Sequence, residues 1–311
     1  MIRKLLTAML LFNAVAAVAA GPDLNRELRL AAIIDDVESV ERLLDAGASV
    51  DSANQFGRTA LMNAVENGNI LTVSTLLSRG ADVNRATVAG CTALTFAAEN
   101  GEIELAAVLL ERGAKLEAST RSGLSSLMLA SQYGLTEMVD QLLFKGADPD
   151  RASEDGVTAL MLAARKGHAE TVELLLKNAA TVDQVDKKGK TALIHAIEKG
   201  ADSGLLSIIV EHGADVGKVS SDGASPLIWA ASVSNEDAVD LLLQKGAQVN
   251  VQDQEGVSAL MEAARAKNQP VVDLLLKAGA DKSLKDRRGK TAADIARHGK
   301  RRDLASMLSP G

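Results

Sequence analysis

Residues 156–188 read GVTALMLAARKGHAETVELLLKNAATVDQVDKK, and this stretch decides the fold. Thr158 stands where a helix N-cap belongs, because a hydroxyl there satisfies an otherwise orphaned amide of the first turn. Leu160, Ala163 and Ala164 follow at i, i+3 and i+4, one face of a helix. Gly167 has the positive-φ freedom that ends such a helix. Val172, Leu175 and Leu176 then form the apolar stripe of a second helix. An extended segment containing Val182, Asp183 and Val185 leads to a turn before Gly189. Each helix is expected to span roughly 8–10 residues, too short to persist alone in water. Their apolar faces must therefore be buried against something outside the stretch.

The neighbouring sequence supplies it. The pattern Gly-x-Thr/Ser-x-Leu recurs at Gly57, Gly90, Gly123, Gly156, Gly189, Gly223 and Gly256, and Gly289 opens a last copy. A second marker, at the end of the second helix, recurs at Gly47, Gly80, Gly113, Gly146, Ala179, Gly213, Gly246 and Gly279. Both markers keep a spacing of 33, with a single step of 34. The N-cap slot holds Thr or Ser in all eight copies, from Thr59 to Thr291. Units that contact only their neighbours and bury faces by stacking form a solenoid. The frame has two defects. Ala179 stands where the other copies of its marker have Gly. One extra residue lies between Gly200 and Gly213, most simply in an Ala201–Gly204 loop.

A 33-residue unit of Gly-x-Thr-x-Leu, Ala-Ala, a Gly, a Leu-Leu helix and Gly-Ala-Asp resembles the ankyrin repeat, and the resemblance covers about residues 23–311. The family's Thr-Pro-Leu-His is here mostly Thr-Ala-Leu-Met, as at Thr158–Met161, and Pro226 alone keeps the proline. Losing that His removes a polar tether between neighbouring loops. The resemblance implies an all-α ankyrin-repeat solenoid of helix–turn–helix units with hairpin tips. Seven full repeats, 57–288, stand between a partial N-cap repeat, 23–56, and a C-cap repeat, 289–311. These units account for the chain after its leader and leave no room for a catalytic domain.

The leader is residues 1–20, MIRKLLTAMLLFNAVAAVAA. Arg3 and Lys4 precede an apolar run from Leu5 to Val18, and small residues close it. This is the plan of a secretory signal peptide cleaved near Ala19 or Ala20, with a bacterial flavour. The run is shorter than the ~20 residues that span a bilayer. Membrane association is expected only if the leader stays uncleaved. The remainder, 21–311, is expected to be periplasmic or secreted.

Composition excludes other classes. A net charge of −7 gives no bulk reason to bind nucleic acid. One cysteine, Cys91, excludes an internal disulfide and any Cys-based zinc site. It follows Gly90 at a hairpin tip and reads as an exposed bystander thiol. Gly189-Lys190-Thr191 and Gly289-Lys290-Thr291 imitate the end of a phosphate-binding loop, but the glycine needed upstream is Gln184 or Leu284. His168, His195, His212 and His298 lack metal-ligand spacing. The adjacent acids Asp35-Asp36 and Glu154-Asp155 read as solvated loop residues. No catalytic residue, cofactor or metal is expected.

The resemblance implies binding of a partner protein through inner helices and hairpin tips, which form a concave face in the family, by a chain that acts as a monomer. Two sets of slots vary while the frame does not. The tip pairs include Gln55-Phe56, Arg121-Ser122, Glu154-Asp155 and Lys187-Lys188, and the inner-helix pairs include Gln132-Tyr133 and Arg165-Lys166. In a chain with 2% aromatics, Phe56, Phe96, Tyr133 and Trp229 are the natural anchors. Phe96 and Trp229 can equally be packing residues between repeats. The candidate binding residues are thus Gln55, Phe56, Arg121, Gln132, Tyr133, Glu154, Asp155, Arg165, Lys166, Lys187, Lys188 and Trp229. Residues 281–311 carry nine Lys/Arg against four Asp. This basic end reads first as a solubilising cap, with an anionic partner or lipid surface as its alternative. Two further functions remain open for the whole chain. One is an envelope-polymer or small-molecule binding, stress-protecting factor, and the other is an accessory subunit of an enzyme.

Overall fold

All eight hydroxyl residues that open the repeats cap helices. In the computed structural model each side chain, from Thr59 to Thr291, accepts a hydrogen bond from the backbone N–H three residues on. The structure describes residues 23–299 and 302–309. The leader, and Lys300 and Arg301 of the basic end, lie outside the described residues.

Two compact units meet in sequence at Val88 and Ala89. The first holds α1 (Leu24–Ala31), α2 (Val37–Asp45), α3 (Ala60–Glu66) and α4 (Ile70–Ser78). In the N-terminal pair, which lacks the Gly-x-Thr opening, Asp23 supplies the missing cap by accepting from Arg26 N–H. α1 packs on α3, α2 packs on α4, and each helix packs on its hairpin partner.

The second unit repeats the pair seven times. Its first-helix layer is α5 (Ala93–Asn100), α7 (Ser126–Gln132), α9 (Ala159–Lys166), α11 (Ala192–Glu198), α13 (Pro226–Ser232), α15 (Ala259–Ala266) and α17 (Ala292–His298). Its second-helix layer is α6 (Ile103–Glu111), α8 (Thr136–Phe144), α10 (Ala169–Lys177), α12 (Ser203–Glu211), α14 (Glu236–Gln244), α16 (Gln269–Lys277) and α18 (Arg302–Leu308). Successive helices of the first layer pack on one another from α5 to α17, and those of the second do so from α6 to α16. Among the described residues there is no strand. The result is an all-α repeat architecture. The helices have 7–9 residues, slightly shorter than the pattern suggested. Below about 12–15 residues a helix is held by packing and not by its own propensity.

The expected apolar stripes are the core. Leu160, Ala163, Ala164, Val172 and Leu175 are each at most 1% exposed. Burying one such leucine or valine stabilises by about 1.5–3 kcal/mol. The Met that replaces the family's histidine is buried to the same degree at Met62, Met128, Met161 and Met261. A thioether there exchanges a polar tether for packing.

Left-handed residues end the helices. The seven glycines of the second marker have φ between 84° and 96°, and Ala179 takes φ 64° in their place. Asn178 stays at φ −96°, so the turn does not shift back. At the end of the first helix, Asp35, Ser234 and Lys267 occupy φ 59–61° where other repeats have glycine. The extra residue sits at Ala201–Asp202. Asp202 caps α12 by accepting from Leu205 N–H, so Ser203 and Gly204 are helical and the expected four-residue loop is shorter. Cys91 is half-buried and not exposed as the tip position suggested.

Candidate partner-binding surface

A ladder of main-chain bonds sets the tips in register. In the first unit Val88 N–H donates to Phe56 C=O at 2.9 Å. In the second, the N–H groups of Arg121, Glu154, Lys187, Ser221, Gln254 and Arg287 donate to Ala89, Ser122, Asp155, Lys188, Asp222 and Glu255 at 2.7–3.0 Å. Each bond joins the first residue of one tip pair to the second residue of the preceding pair. Gly123 shows why the frame residue must be glycine. Its φ is +82°, and a Cβ would stand 2.8 Å from the backbone nitrogen of Glu154. Gly289, at the last tip, has no atom within 4 Å of the same point. Within several tips a side chain braces the turn. Asp186 Oδ1 accepts from the N–H groups of Lys188 and Lys190, and Asn54, Asp253 and Asp286 do likewise.

With the main chain committed to the ladder, the tip side chains point to solvent. Gln55, Phe56, Arg121, Glu154, Asp155, Lys187 and Lys188 are all exposed, Phe56 at 61%. Lys187 lies 4.0 Å from Asp155 of the preceding tip, a surface pair of little energetic weight. Of the inner-helix candidates, Tyr133 and Lys166 are exposed, and Gln132 and Arg165 are half-buried. Tyr133 donates its hydroxyl to Glu99 Oε1 of the preceding repeat at 3.2 Å. Partial burial, then the Glu99 charge and hydrogen bond, push its pKa up, so the phenol stays neutral and available as a donor. In the first unit, Phe56 lines a groove of about 900 Å³ with Arg29, Leu30, Ile33, Arg58 and Glu66.

The two ambiguous aromatics separate. Phe96 is 8% exposed and belongs to the core. Trp229 is half-buried, its Nε1 donates to Ser220 Oγ at 3.1 Å, and Lys190 Nζ sits 3.9 Å from its ring centroid. Such a cation–π contact contributes about 0.5–1 kcal/mol exposed and about 2 kcal/mol desolvated. Lys190 is itself only 8% exposed and bonds Glu198 Oε2 at 3.0 Å. Burial raises the Glu198 carboxyl, but the Lys190 bond and charge more than offset this and hold it below the ordinary value. Beside it, His195 Nε2 lies 3.0 Å from Asp186 Oδ2, both side chains 7% exposed. Burial depresses the His195 pKa against the pull of Asp186, with Arg165 and Lys190 adding to the depression. The imidazole is therefore neutral, with Nε2–H donating and Nδ1 buried without a partner.

Sequence reasoning did not find this polar knot, because Lys190 and Trp229 are brought together only by stacking. It also missed Phe144, 85% exposed at the end of α8 in the second-helix layer. A signal was present. The same slot holds Asp45, Ser78, Glu111, Lys177, Glu211, Gln244 and Lys277 in the other repeats, so a lone aromatic stands out. Among the described residues, no group of three His, Cys, Asp or Glu side chains could hold a metal ion. Nor is any described helix long and apolar enough to cross a membrane.

A family model described as Ankyrin repeats (3 copies) matches residues 28–120, 127–219 and 201–286. No curated protein matches the chain.

Proposed function

The chain belongs to the ankyrin-repeat family, whose members generally mediate protein–protein interaction, and we propose that it is a non-catalytic scaffold binding a partner protein across its tip pairs and inner-helix pairs. One observation carries the reading. The capping and core residues of each repeat are buried and the tip backbones are locked by main-chain bonds, whereas the tip side chains are exposed and chemically different in successive repeats. A surface that varies on a fixed frame is suited to selecting a partner. Tyr133, held by Glu99 and 48% exposed, is a pre-oriented aromatic anchor, and the next repeat carries the cationic pair Arg165-Lys166 in the same inner-helix slots. The proposal extends to location. The basic start, apolar run and small-residue close of residues 1–20 support export to the periplasm or beyond, with the mature chain beginning at Ala20 or Gly21 and acting as a monomer.

The test uses the mature protein recovered from the exported fraction with whatever protein co-purifies. N-terminal sequencing should begin at Ala20 or Gly21, and an intact Met1 in a membrane pellet would overturn the export reading. Tyr133→Ala should weaken the partner by about 2 kcal/mol, close to thirtyfold. Arg165→Glu with Lys166→Glu should mainly slow association. Normal binding by these variants, combined with loss of binding in Phe144→Ala, would place the interface on the second-helix layer instead.

A further inference from the structure

The repeat frame allows one position to be compared with itself along the chain. The residue after the frame glycine and the residue eight further on, at the end of the inner helix, form such a position. Arg58 pairs there with Glu66. Lys190 pairs there with Glu198, Nζ to Oε2 at 3.0 Å. The third cation in this slot is Lys290, and the residue eight further on is His298, which carries no negative charge. A cation that is twice answered by a carboxylate of its own repeat lacks that answer in the last one.

The surroundings sharpen the vacancy. Lys290 and His298 line one cavity of about 320 Å³ with Arg265, Arg288 and Asp286, between the ends of α15 and α17. Among the described residues, neither the Lys290 ammonium nor the Arg288 guanidinium has an acidic partner. Arg265 is paired with Glu262 on its own helix. Asp286 is the one acid in the wall, and its Oδ1 accepts from the backbone N–H groups of Arg288 and Lys290 at 2.9 and 2.8 Å. At the equivalent Asp186, the second oxygen is taken by His195. Ile295 occupies that histidine's slot here and offers nothing polar. Two unpaired cations, Lys290 and Arg288, thus face one carboxylate that the turn already employs.

We infer that this cavity receives a carboxylate from outside the chain, an Asp or Glu side chain in an acidic segment of the partner protein. The inference rests on the protein-binding reading above and supplies the ligand chemistry at one place on that surface. A recessed cavity at two helix ends suits an inserted side chain, whereas a bilayer presents a flat anionic plane that would engage protruding cations. Arg288 can add a second, forked bond to the same carboxylate. The nine Lys/Arg of residues 281–311 would draw an acidic segment toward the site before contact.

The full mature chain can be titrated with a fluorescein-labelled hexaglutamate peptide at low ionic strength, read by anisotropy. His298→Glu places a carboxylate where the Lys190 repeat has Glu198, and should weaken peptide binding about tenfold or more while the circular dichroism and denaturation midpoint hold or improve. Lys290→Gln should weaken it comparably, and His298→Gln should leave it within about twofold. Failure of the wild-type chain to bind the peptide, or equal binding by His298→Glu, would overturn the inference. So would binding to phosphatidylglycerol vesicles without binding to the peptide, which would make the basic end a membrane contact. If Arg165→Glu/Lys166→Glu abolishes partner binding while the peptide ignores His298→Glu, this inference alone falls. If the peptide responds as expected but no protein partner exists, carboxylate recognition stands and the scaffold reading falls.

Discussion

Ala179 offers a clean measurement of backbone strain in this frame. It holds φ 64° where the other seven repeats use glycine, and its methyl group is exposed, so removing it sacrifices no packing. A left-handed L-residue costs about 1–2 kcal/mol. Glycine relieves that strain but returns about 0.4–1 kcal/mol of freedom to the unfolded chain. Ala179→Gly should therefore stabilise by roughly 0.5–1 kcal/mol. Gly146→Ala is the mirror experiment. Its φ is +91° with no atom within 4 Å of a new Cβ, so strain alone acts and stability should fall by a similar amount. Gly123→Ala differs. Its Cβ would press on the Glu154 nitrogen at 2.8 Å and threaten the Glu154–Ser122 ladder bond. That bond adds about 0.5–1.5 kcal/mol to the strain, for a total near 2 kcal/mol or more. Urea midpoints at unchanged slope read all three variants. Amide exchange over residues 170–215 would show whether the gain from Ala179→Gly is local. A midpoint that falls for Ala179→Gly, or a Gly123→Ala no worse than Gly146→Ala, would refute the reasoning.

Acid should loosen the second unit through His195. Burial holds the folded imidazole below its ordinary 6.5, so the unfolded chain takes up the proton first. Stability should then fall as pH drops from about 6.5, and level off once the folded imidazole also protonates. Glu198 and Asp222, both held below their ordinary values, act only at lower pH. His195→Leu, matching Leu162 in the neighbouring repeat, should flatten the denaturation midpoint between about pH 7 and pH 5. An unchanged slope would assign the effect elsewhere. Thr158→Ala removes a cap 2% exposed and bonded to Met161 N–H, and should cost about 1 kcal/mol by thermal or chemical denaturation. A loss confined to a few tenths would mean that stacking holds the α9 start without its cap.

The frame was legible because each of its residues answers a local demand. Thr158 caps, Leu160 is buried and Gly167 turns the chain, and each can be recognised from the residues beside it. The left-handed turns at Asp35, Ser234 and Lys267 were not legible. There the geometry is imposed by two packed helices, and the residue tolerates it at a cost. Contacts between repeats were also beyond reach. Lys190 meets Trp229 across 39 positions, and nothing near either residue announces the other. The exposure of Gln55, Arg121 and Lys187 followed from their place at turns. Phe144 lies on the second-helix layer, outside the variable inner-helix slots, and only the polar residues of its slot in every other repeat mark it.

The tip ladder consists of main-chain atoms alone, from Phe56–Val88 in the first unit to Glu255–Arg287 in the second. Exchanging a tip side chain leaves both the donor and the acceptor in place. Mutation at most of these pairs, to residues other than proline, is therefore only weakly coupled to folding, although Asp222 also braces its own turn by accepting from Ala224 N–H. The frame glycines carry the opposite burden, since most substitutions there would be purged. At Gly289 no atom stands within 4 Å of a new Cβ, so only the strain of its φ, +73°, opposes change there.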